Sequence, residues 1–476
     1  MIDIEEFREH AHYLVDWMAD YYKNIDRYPV KSQVCPGDIL NKIPDQAPDT
    51  GESIKDIFKD FEEIIMPGIT HWQNPKWFAY FQANSSYPSV LAEMLTATLG
   101  AQCMLWETSP AATELEEKLM LWLQKMMGLP EHLTGVIQDT ASTATLCAIL
   151  TAREQASNYT INKTGYQGNE NFRIYCSTET HSSIDKAVKI AGMGGANLIK
   201  VAVDDRMALS SEELERTIQD DIKSNRNPLL VVATIGTTGT LAIDPLKKIA
   251  EICDKYKIWL HVDAAYAGSA MVLPEYRWMI EGLDLADSYV FNPHKWLFTN
   301  FDCSAYFVKD KEALIRTFAI MPEYLKTKVD EKVNNYRDWG IQLGRRFRAL
   351  KLWFVIRNFG ILEIQNRLRK HIKLVQDQYL ILDKNPDFEI MVQSPLNMIC
   401  FRFHPESLND ENSLNNLNKR ILEEINKSGD TFLTHTKING KYTIRLVAGQ
   451  TYFEKEHLDS AWSLIRKTSY KVFENV

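Results

Sequence analysis

The chain has 476 residues, of which 45% are hydrophobic and 25% charged, with a formal net charge of −9 at pH 7. This size allows two or three domains, and the negative charge argues against nucleic acid or an anionic membrane as the main partner. No apolar run reaches the roughly eighteen residues of a membrane span, and seven cysteines without a C-x-x-C pair, with an acidic N-terminus, favour a reducing, cytoplasmic setting.

The N-terminal segment is predicted to be helical. Apolar residues recur at intervals of three and four over residues 5–22 and again over residues 54–65. The segment is too small for a core of its own, so its apolar face should pack on another surface, and a second subunit is one candidate. His10 and His12 lie here without other plausible ligands nearby, so we predict no metal site.

An aromatic stretch follows at residues 70–81. The Asn, Ser and Pro residues that come after it, at 84–88, favour a loop, and loops carry function more often than regular elements do. Core packing explains some of these rings, and the alternative is the wall of a pocket for an aromatic ligand.

A strand-to-helix turn with small hydroxyl residues is predicted next. Residues 135–138 have the pattern of a strand, and residues 139–144 lead into a helix that runs to about residue 155. Backbone N–H groups and hydroxyls at a helix N-terminus suit an anion, although simple N-capping by Thr140 or Ser142 gives the same sequence pattern.

Strands and helices alternate from Arg173 onward, which predicts a mostly parallel sheet with crossover helices. His181 follows the predicted strand at residues 173–176, and Thr238 follows the one at residues 229–233. Ligands of such sheets bind beyond the carboxyl ends of the strands, so both positions are candidates for a binding site.

Two further strand ends carry the clearest chemistry. Pro293 forces a turn after a predicted buried strand at residues 288–291, which holds Lys295 at the mouth of the sheet. A desolvated amine there becomes a nucleophile towards carbonyls, although an ordinary surface lysine is the alternative. Asp263 ends the preceding strand. A lysine that bonds to an aldehyde and a carboxylate that pairs with a pyridinium nitrogen are the two groups that pyridoxal phosphate chemistry needs.

The last third of the sequence contains a charged segment, a long predicted helix and a region of mixed helices and strands. Residues 327–335 are highly charged and follow Tyr324, which predicts a mobile segment or lid. A long helix is predicted to begin near Leu343, and from about residue 361 helices separated by short strands predict a separate α+β domain.

Residues 261–268 (HVDAAYAG) and 292–296 (NPHKW) resemble the signatures of group II pyridoxal-phosphate decarboxylases, in the aromatic-L-amino-acid decarboxylase branch. The resemblance runs from about Phe7 to about Trp462. It implies the α/β, PLP-dependent transferase-like fold type I, with a mostly parallel seven-stranded sheet and flanking helices. The implied parts are an N-terminal helical dimerisation segment (1–85), a large PLP-binding α/β domain (86–360) and a small α+β C-terminal domain (361–476), in a homodimer with shared active sites.

The same resemblance implies decarboxylation of an aromatic L-amino acid to its amine and carbon dioxide. Lys295 would bond to the cofactor, Asp263 would keep the ring nitrogen protonated, His181 would stack on the ring, and Tyr324 would donate a proton. The implied cofactor contacts are Thr140, Ala141, His181, Thr238, Asp263, Ala265, Asn292, His294, Lys295 and Gly344. The implied substrate contacts are Trp72, Tyr80, Phe81, Gln82, Gln102, Met104 and His181.

Several positions depart from the relatives. Asp139 stands where glycine is usual, and a carboxylate beside a phosphate is unfavourable unless it points away. Gln82, Gln102 and Met104 differ from animal relatives, which leaves tryptophan, tyrosine and dihydroxyphenylalanine open as substrates. The alternative functions are an aromatic aldehyde synthase, a decarboxylase of another amino acid, and a catalytically silent binding protein of this fold.

Overall fold

The structure, a computed structural model, describes residues 2–168, 170–320 and 332–475. The chain divides into two compact units. The larger comprises Ala83–Leu380 and Val392–Cys400, and the smaller comprises Met1–Gln82, Ile381–Met391 and Phe401–Val476. The three-part division predicted from the sequence stays a prediction. Among the described residues, no helix has both the length and the apolar character needed to cross a membrane.

The larger unit is built on a seven-stranded sheet with the spatial order β1-β7-β6-β5-β4-β2-β3. Only β7 is antiparallel to its neighbours, and the other pairs are parallel. This confirms the predicted mostly parallel seven-stranded sheet. The strands are β1 (Thr134–Gln138), β2 (Phe172–Ser177), β3 (Leu198–Val201), β4 (Asn227–Thr234), β5 (Trp259–Asp263), β6 (Ser288–Phe291) and β7 (Ser304–Val308).

Every residue of β5, β6 and β7 is buried. Strands buried along their whole length are typical of a parallel sheet that is covered on both faces. One covering element is α5, whose Ala144, Cys147 and Ala148 pack in one core cluster with Val136 of β1 and Val290 of β6. The middle of the sheet is therefore closed to ligands, which leaves the ends of the strands for chemistry.

Helices lie between the strands and towards both ends of the chain. They are α1 (Ile4–Lys23), α2 (Ile54–Asp60), α3 (Tyr87–Leu99), α4 (Pro110–Met127), α5 (Ala141–Ala156), α6 (Ile161–Thr164), α7 (Ser183–Ile190), α8 (Ser211–Lys223), α9 (Leu246–Tyr256), α10 (Pro293–Trp296), α11 (Lys311–Phe318), α12 (Arg348–Leu382), α13 (Glu411–Lys427) and α14 (Lys455–Phe473). The helical path of α12 is interrupted at Gly360, which has a φ of +69°.

The predicted start of the long helix at Leu343 is wrong, because α12 begins at Arg348. The backbone of Arg345 is used outside a helix: its N–H donates to Oε1 of Gln102 at 2.7 Å, and its carbonyl accepts from the N–H of Cys103 at 2.9 Å. These contacts with a distant segment compete with the helical hydrogen bonds that the local sequence favours.

A second sheet has the order β10-β11-β9-β8. Its strands are β8 (Phe388–Gln393), β9 (Met398–Phe403), β10 (Thr434–Ile438) and β11 (Lys441–Val447). Strand β10 was not predicted from the sequence, although Asn439-Gly440 joins it to β11 with positive φ values of 51° and 80°. This dipeptide is a strong hairpin signal, since both residues tolerate the left-handed conformation that a tight turn needs.

Candidate active site

Lys295 lies in a turn that backbone hydrogen bonds hold against the end of the neighbouring strand. The N–H of Asn292, just after β6, donates to the carbonyl of Ala265 at 3.0 Å, and the N–H of Lys295 donates to the carbonyl of Asn292 at 2.9 Å. Pro293 begins the single helical turn α10. The lysine is therefore placed beyond the carboxyl end of β6, as the sequence predicts.

The amine of Lys295 has an unusual environment for a lysine. Burial lowers its pKa from the ordinary value of 10.5, and the negative charge of Asp263 opposes that shift. Burial disfavours the charged form because protein solvates an ammonium ion less well than water does. A larger fraction of the amine is then neutral, which is the form that attacks a carbonyl.

Asp263 is the last residue of β5 and is only 5% exposed. Its Oδ1 accepts a hydrogen bond from the N–H of Ala265 at 3.0 Å, and its backbone carbonyl accepts from the N–H of Ile235 at 2.9 Å. Pairing with Thr234 on one side and Val290 on the other fixes it between two parallel strands. The carboxylate is thus positioned by the register of the sheet.

His181 lies in the turn that follows β2, at the surface of the chain. Its Nδ1 accepts the N–H of Ser183 at 3.1 Å and lies 2.8 Å from Oγ of the same residue. Because Nδ1 is an acceptor, the neutral ring carries its proton on Nε2. Partial desolvation lowers the pKa of His181, the charge of Lys295 lowers it further, and Asp263 opposes both effects. The three groups therefore lie within electrostatic reach of one another.

The turn after β1 is linked to the turn that carries Lys295. Thr140 caps α5, and its Oγ1 accepts the N–H of Thr143 at 3.4 Å. Oγ of Ser304 lies 2.7 Å from Oδ1 of Asn292 and 3.2 Å from the carbonyl oxygen of Asp139. Ser304 was not predicted. It is the first residue of β7 and pairs with Gln138, the last residue of β1.

His294, Thr238 and Ala265 are further predicted cofactor contacts in the larger unit. Nδ1 of the buried His294 accepts the N–H of Cys303 at 2.9 Å, and burial lowers the pKa of His294 to about 3, so the ring is neutral. Thr238 and Ala265 are half-buried, each in the turn that follows its strand, after β4 and β5 respectively.

Gln102, Met104 and Gly344 form a second group in the larger unit. Gln102 accepts from the N–H of Arg345, and a Cβ added at Gly344 would lie 3.1 Å from Nε2 of Gln102. The carbonyl of Met104 accepts the N–H of Arg337 at 3.1 Å. The segment that begins at residue 332 is thereby held against residues 102–104.

The predicted aromatic wall lies in the smaller unit. Trp72 stacks on the buried Trp77 with ring centroids 4.1 Å apart, and Tyr80 is 50% exposed with a φ of +52°. The guanidinium of Arg445 lies 5.8 Å from the ring centroid of Phe81.

Gln82 has an internal role. The side chain is 0% exposed, and its Nε2 donates to the carbonyls of Val447 at 2.6 Å and Trp77 at 3.3 Å. Its amide therefore holds backbone together, and its contact with substrate stays a prediction.

Two further residues of the motifs at 261–268 and 292–296 make contacts inside the protein, and neither was predicted to have a role. His261 lies between Oγ1 of Thr145 at 3.0 Å and Oγ of Ser288 at 2.8 Å, and burial lowers its pKa to about 4. Trp296 stacks on Tyr266 with ring centroids 5.1 Å apart. The available signal was their position in the sequence, since His261 lies two residues before Asp263 and Trp296 directly follows Lys295.

Tyr324, the predicted proton donor, lies outside the described residues. Within the described ranges, no group of three or more His, Cys, Asp or Glu residues is placed to hold a metal ion.

The chain matches the pyridoxal-dependent decarboxylase conserved domain over residues 36–404 and therefore belongs to this pyridoxal-phosphate-dependent family. Among its relatives, tyrosine decarboxylase 2 of Narcissus pseudonarcissus is 42% identical over 98% of this chain and 94% of its own length. Phenylacetaldehyde synthase of Arabidopsis thaliana is 40% identical over 98% of this chain and 96% of its own. The crystal structure of Catharanthus roseus tryptophan decarboxylase in complex with L-tryptophan superposes with a TM-score of 0.93, at 36% identity and 99% coverage of both chains.

Proposed function

We propose that this protein decarboxylates an aromatic L-amino acid to its amine and carbon dioxide, using pyridoxal phosphate. The observation that carries the proposal is the convergence of Lys295, Asp263 and His181 beyond the carboxyl ends of β6, β5 and β2. The relatives named for tyrosine and tryptophan, which are similar over nearly the whole chain, favour aromatic substrates.

The residues present suit the cofactor. A desolvated amine at Lys295 can bond to its aldehyde, the buried Asp263 can pair with its ring nitrogen, and the N-terminus of α5 with Thr140 can hold its phosphate. We assign as further contacts Ala141, His181, Thr238, Ala265, Asn292, His294 and Gly344. Pyridoxal phosphate, when bound, supplies an electron-accepting ring that takes up the electron pair left by the departing carboxylate.

The side chains supply charge and protons around that ring. The carboxylate of Asp263 favours a proton on the ring nitrogen, since a nearby anion stabilises the charged form. His181, neutral and protonated on Nε2, is assigned to lie against the ring. Tyr324 is assigned to deliver the proton that replaces the carboxylate on the substrate carbon.

The aromatic stretch favours a ring-bearing substrate. We propose Trp72, Tyr80 and Phe81 as substrate contacts, since each aromatic contact favours a ring by roughly 1 kcal/mol, and we keep Gln82, Gln102 and Met104 as further candidates for substrate contact. No cluster of Arg or Lys occurs in residues 70–83 to bind a side-chain carboxylate.

Carbon dioxide release should be measured with tryptophan, tyrosine, dihydroxyphenylalanine, phenylalanine, histidine, glutamate, aspartate and cysteine sulfinate. We expect an aromatic substrate to lead in kcat/KM. A tenfold lead for an acidic substrate would contradict the aromatic pocket and leave the roles of Lys295 and Asp263 standing.

An aromatic aldehyde synthase is the second candidate, because the relatives include phenylacetaldehyde synthases. In the family pattern, that activity accompanies Phe at the loop tyrosine or Asn at the stacking histidine, and this chain has Tyr324 and His181. We therefore expect amine as the main product, without consumption of oxygen. Aldehyde, ammonia and oxygen uptake in step with carbon dioxide would decide for the synthase.

We also propose a homodimer with shared active sites. Every residue of α1 is described and none is buried, and Ile4 and Phe7 are 67% and 53% exposed. An apolar face of this kind marks an interaction surface. Removal of residues 1–48 should give insoluble or monomeric, inactive protein in sedimentation and activity measurements. A soluble, active truncated protein would contradict this assignment.

A further inference from the structure

The turn that we assign to the cofactor phosphate contains a carboxylate of its own. Oδ1 of Asp139 accepts a hydrogen bond from the N–H of Thr140 at 2.5 Å and lies 3.2 Å from the Oγ1 of that residue. Oδ2 accepts from Nε2 of Gln342 at 3.0 Å. The acid is therefore folded onto the start of α5, where an anion would be expected to bind.

This arrangement affects any phosphate that approaches the same turn. The N–H of Thr140 has one strong hydrogen bond to give, and Asp139 accepts it. The carboxylate also adds a negative charge at short range, where like charges repel. A phosphate at this turn must therefore share its donors and tolerate a neighbouring anion.

Contacts from a distant segment hold Asp139 in this position. Nε2 of Gln138 donates to the carbonyl of Trp339 at 2.9 Å, and a Cβ added at Gly340 would lie 2.8 Å from that same nitrogen. With the Gln342 bond, these contacts fasten residues 339–342 to the end of β1. Turning the carboxylate away would break the bonds to both Thr140 and Gln342.

We propose that Asp139 is a positioning residue that weakens the binding of the phosphate of pyridoxal phosphate at this turn. The cofactor therefore dissociates and rebinds more readily than it would with an uncharged residue at position 139. The proposal rests on the assignment of Thr140 and Ala141 to the phosphate. It predicts an effect on the phosphate group alone, and not on the ring or aldehyde.

The test compares full-length wild type with Asp139→Asn, which keeps the shape and an acceptor oxygen but removes the charge. Dissociation constants for pyridoxal phosphate and for pyridoxal, which lacks the phosphate, are measured by equilibrium dialysis. Release of pyridoxal phosphate from the holoenzyme is followed after dilution into a trap. We expect Asp139→Asn to bind pyridoxal phosphate at least about tenfold more tightly and release it more slowly, with pyridoxal unchanged within about twofold.

Three controls make the result decisive. Glu251→Gln removes one exposed carboxylate from α9 and should behave as wild type. Gln342→Ala keeps the charge of Asp139 and removes one of the two bonds that hold its carboxylate, so any tightening should be smaller than that of Asp139→Asn. Asp139→Gly serves if the Asn variant does not fold, and carries the same expectation.

Thr140→Ala tests whether the turn binds the phosphate at all, separately from the role of Asp139. If it weakens pyridoxal phosphate but not pyridoxal, the turn binds the phosphate. Unchanged or weaker binding by Asp139→Asn would then overturn the role of Asp139 alone. If neither Thr140→Ala nor Asp139→Asn alters the ratio of the two affinities, the phosphate assignment itself is wrong, and the inference falls with it.

Discussion

The carboxyl edge of the large sheet and the aromatic stretch at residues 70–81, with Gln82 directly after it, were both predicted to carry function, and they are built differently. At the sheet edge, Asp263 is fixed by strand pairing and by a bond to Ala265, two residues away. At the end of the aromatic stretch, Gln82 is fixed by a hydrogen bond to the carbonyl of Val447, which is 365 positions further along the chain.

This difference shows where the local sequence is enough to predict the position of a side chain. A strand that ends in a sheet points its next residues in a direction that the register already determines, so a motif there has few alternative positions. A loop takes its shape from whichever distant segments bond to it, and those partners cannot be found from the loop itself.

Lys295→Ala should give the largest effect, because no other group assigned at the sheet edge can bond to the cofactor aldehyde. The variant should fold, since the turn is held by backbone bonds of Asn292 and Lys295 that do not need the side chain. We expect loss of turnover, with cofactor bound only non-covalently. Carbon dioxide release and mass spectrometry after borohydride reduction measure this. The exposed Lys257→Ala is the control, and full activity of the Lys295 variant would refute the assignment.

Asp263→Asn tests the second group at the same edge. The amide oxygen can still accept from the N–H of Ala265, so the change removes charge while the shape remains. We expect a loss on the order of a hundredfold in kcat, because a buried charge-assisted contact is removed. A variant within a factor of two of wild type would show that the pairing with the ring nitrogen is wrong.

Most of the sheet could be predicted from the sequence, for physical reasons. Buried strands read as continuous apolar runs, and residues 288–291 were found in that way. Strand β7 was not recognised as a separate strand, and β10 was not predicted; the residues of β10 are half-buried or exposed except for the buried Ile438. The start of α12 was also placed too early, because the bonds of Arg345 with Gln102 and Cys103 are not local.

Only part of the candidate site could be predicted from the sequence. Lys295, Asp263 and His181 follow strands and were found from that position. Ser304 of β7 contacts Asn292, and His261 of β5 contacts Ser288 of β6; only the order of the strands in the sheet reveals these two contacts. Gln82 was predicted as a substrate contact, but its amide bonds to carbonyls that no local pattern indicates.

Trp72→Ala should have a smaller effect, confined to substrate binding. Trp72 contributes one partly exposed ring, stacked on Trp77, and one aromatic contact contributes roughly 1 kcal/mol, or about fivefold in affinity. We therefore expect KM for the preferred amino acid to rise about fivefold with little change in kcat or in cofactor affinity. Trp72→Phe keeps a ring and should recover most of the loss. An unchanged KM would place the substrate pocket elsewhere.

Gln82→Leu should lower stability and leave substrate binding almost unchanged, which is the smallest effect on activity. The substitution removes the donor to the carbonyls of Val447 and Trp77 at a position that is 0% exposed. A buried carbonyl without a donor costs about 1–3 kcal/mol. We expect a lower denaturation midpoint with KM within a factor of two. Gln33→Leu changes an exposed glutamine of the same unit and should shift stability by no more than about 0.5 kcal/mol.

The opposite result for Gln82→Leu would be equally informative. A raised KM at unchanged stability would mean that the amide contacts the substrate and that its backbone bonds contribute little. The sequence-based role of Gln82 would then stand, and the aromatic stretch would be as predictable from its local sequence as the sheet edge is. A loss of stability with an unchanged KM would mean that the amide of Gln82 serves to hold the distant carbonyl of Val447 and does not contact the substrate.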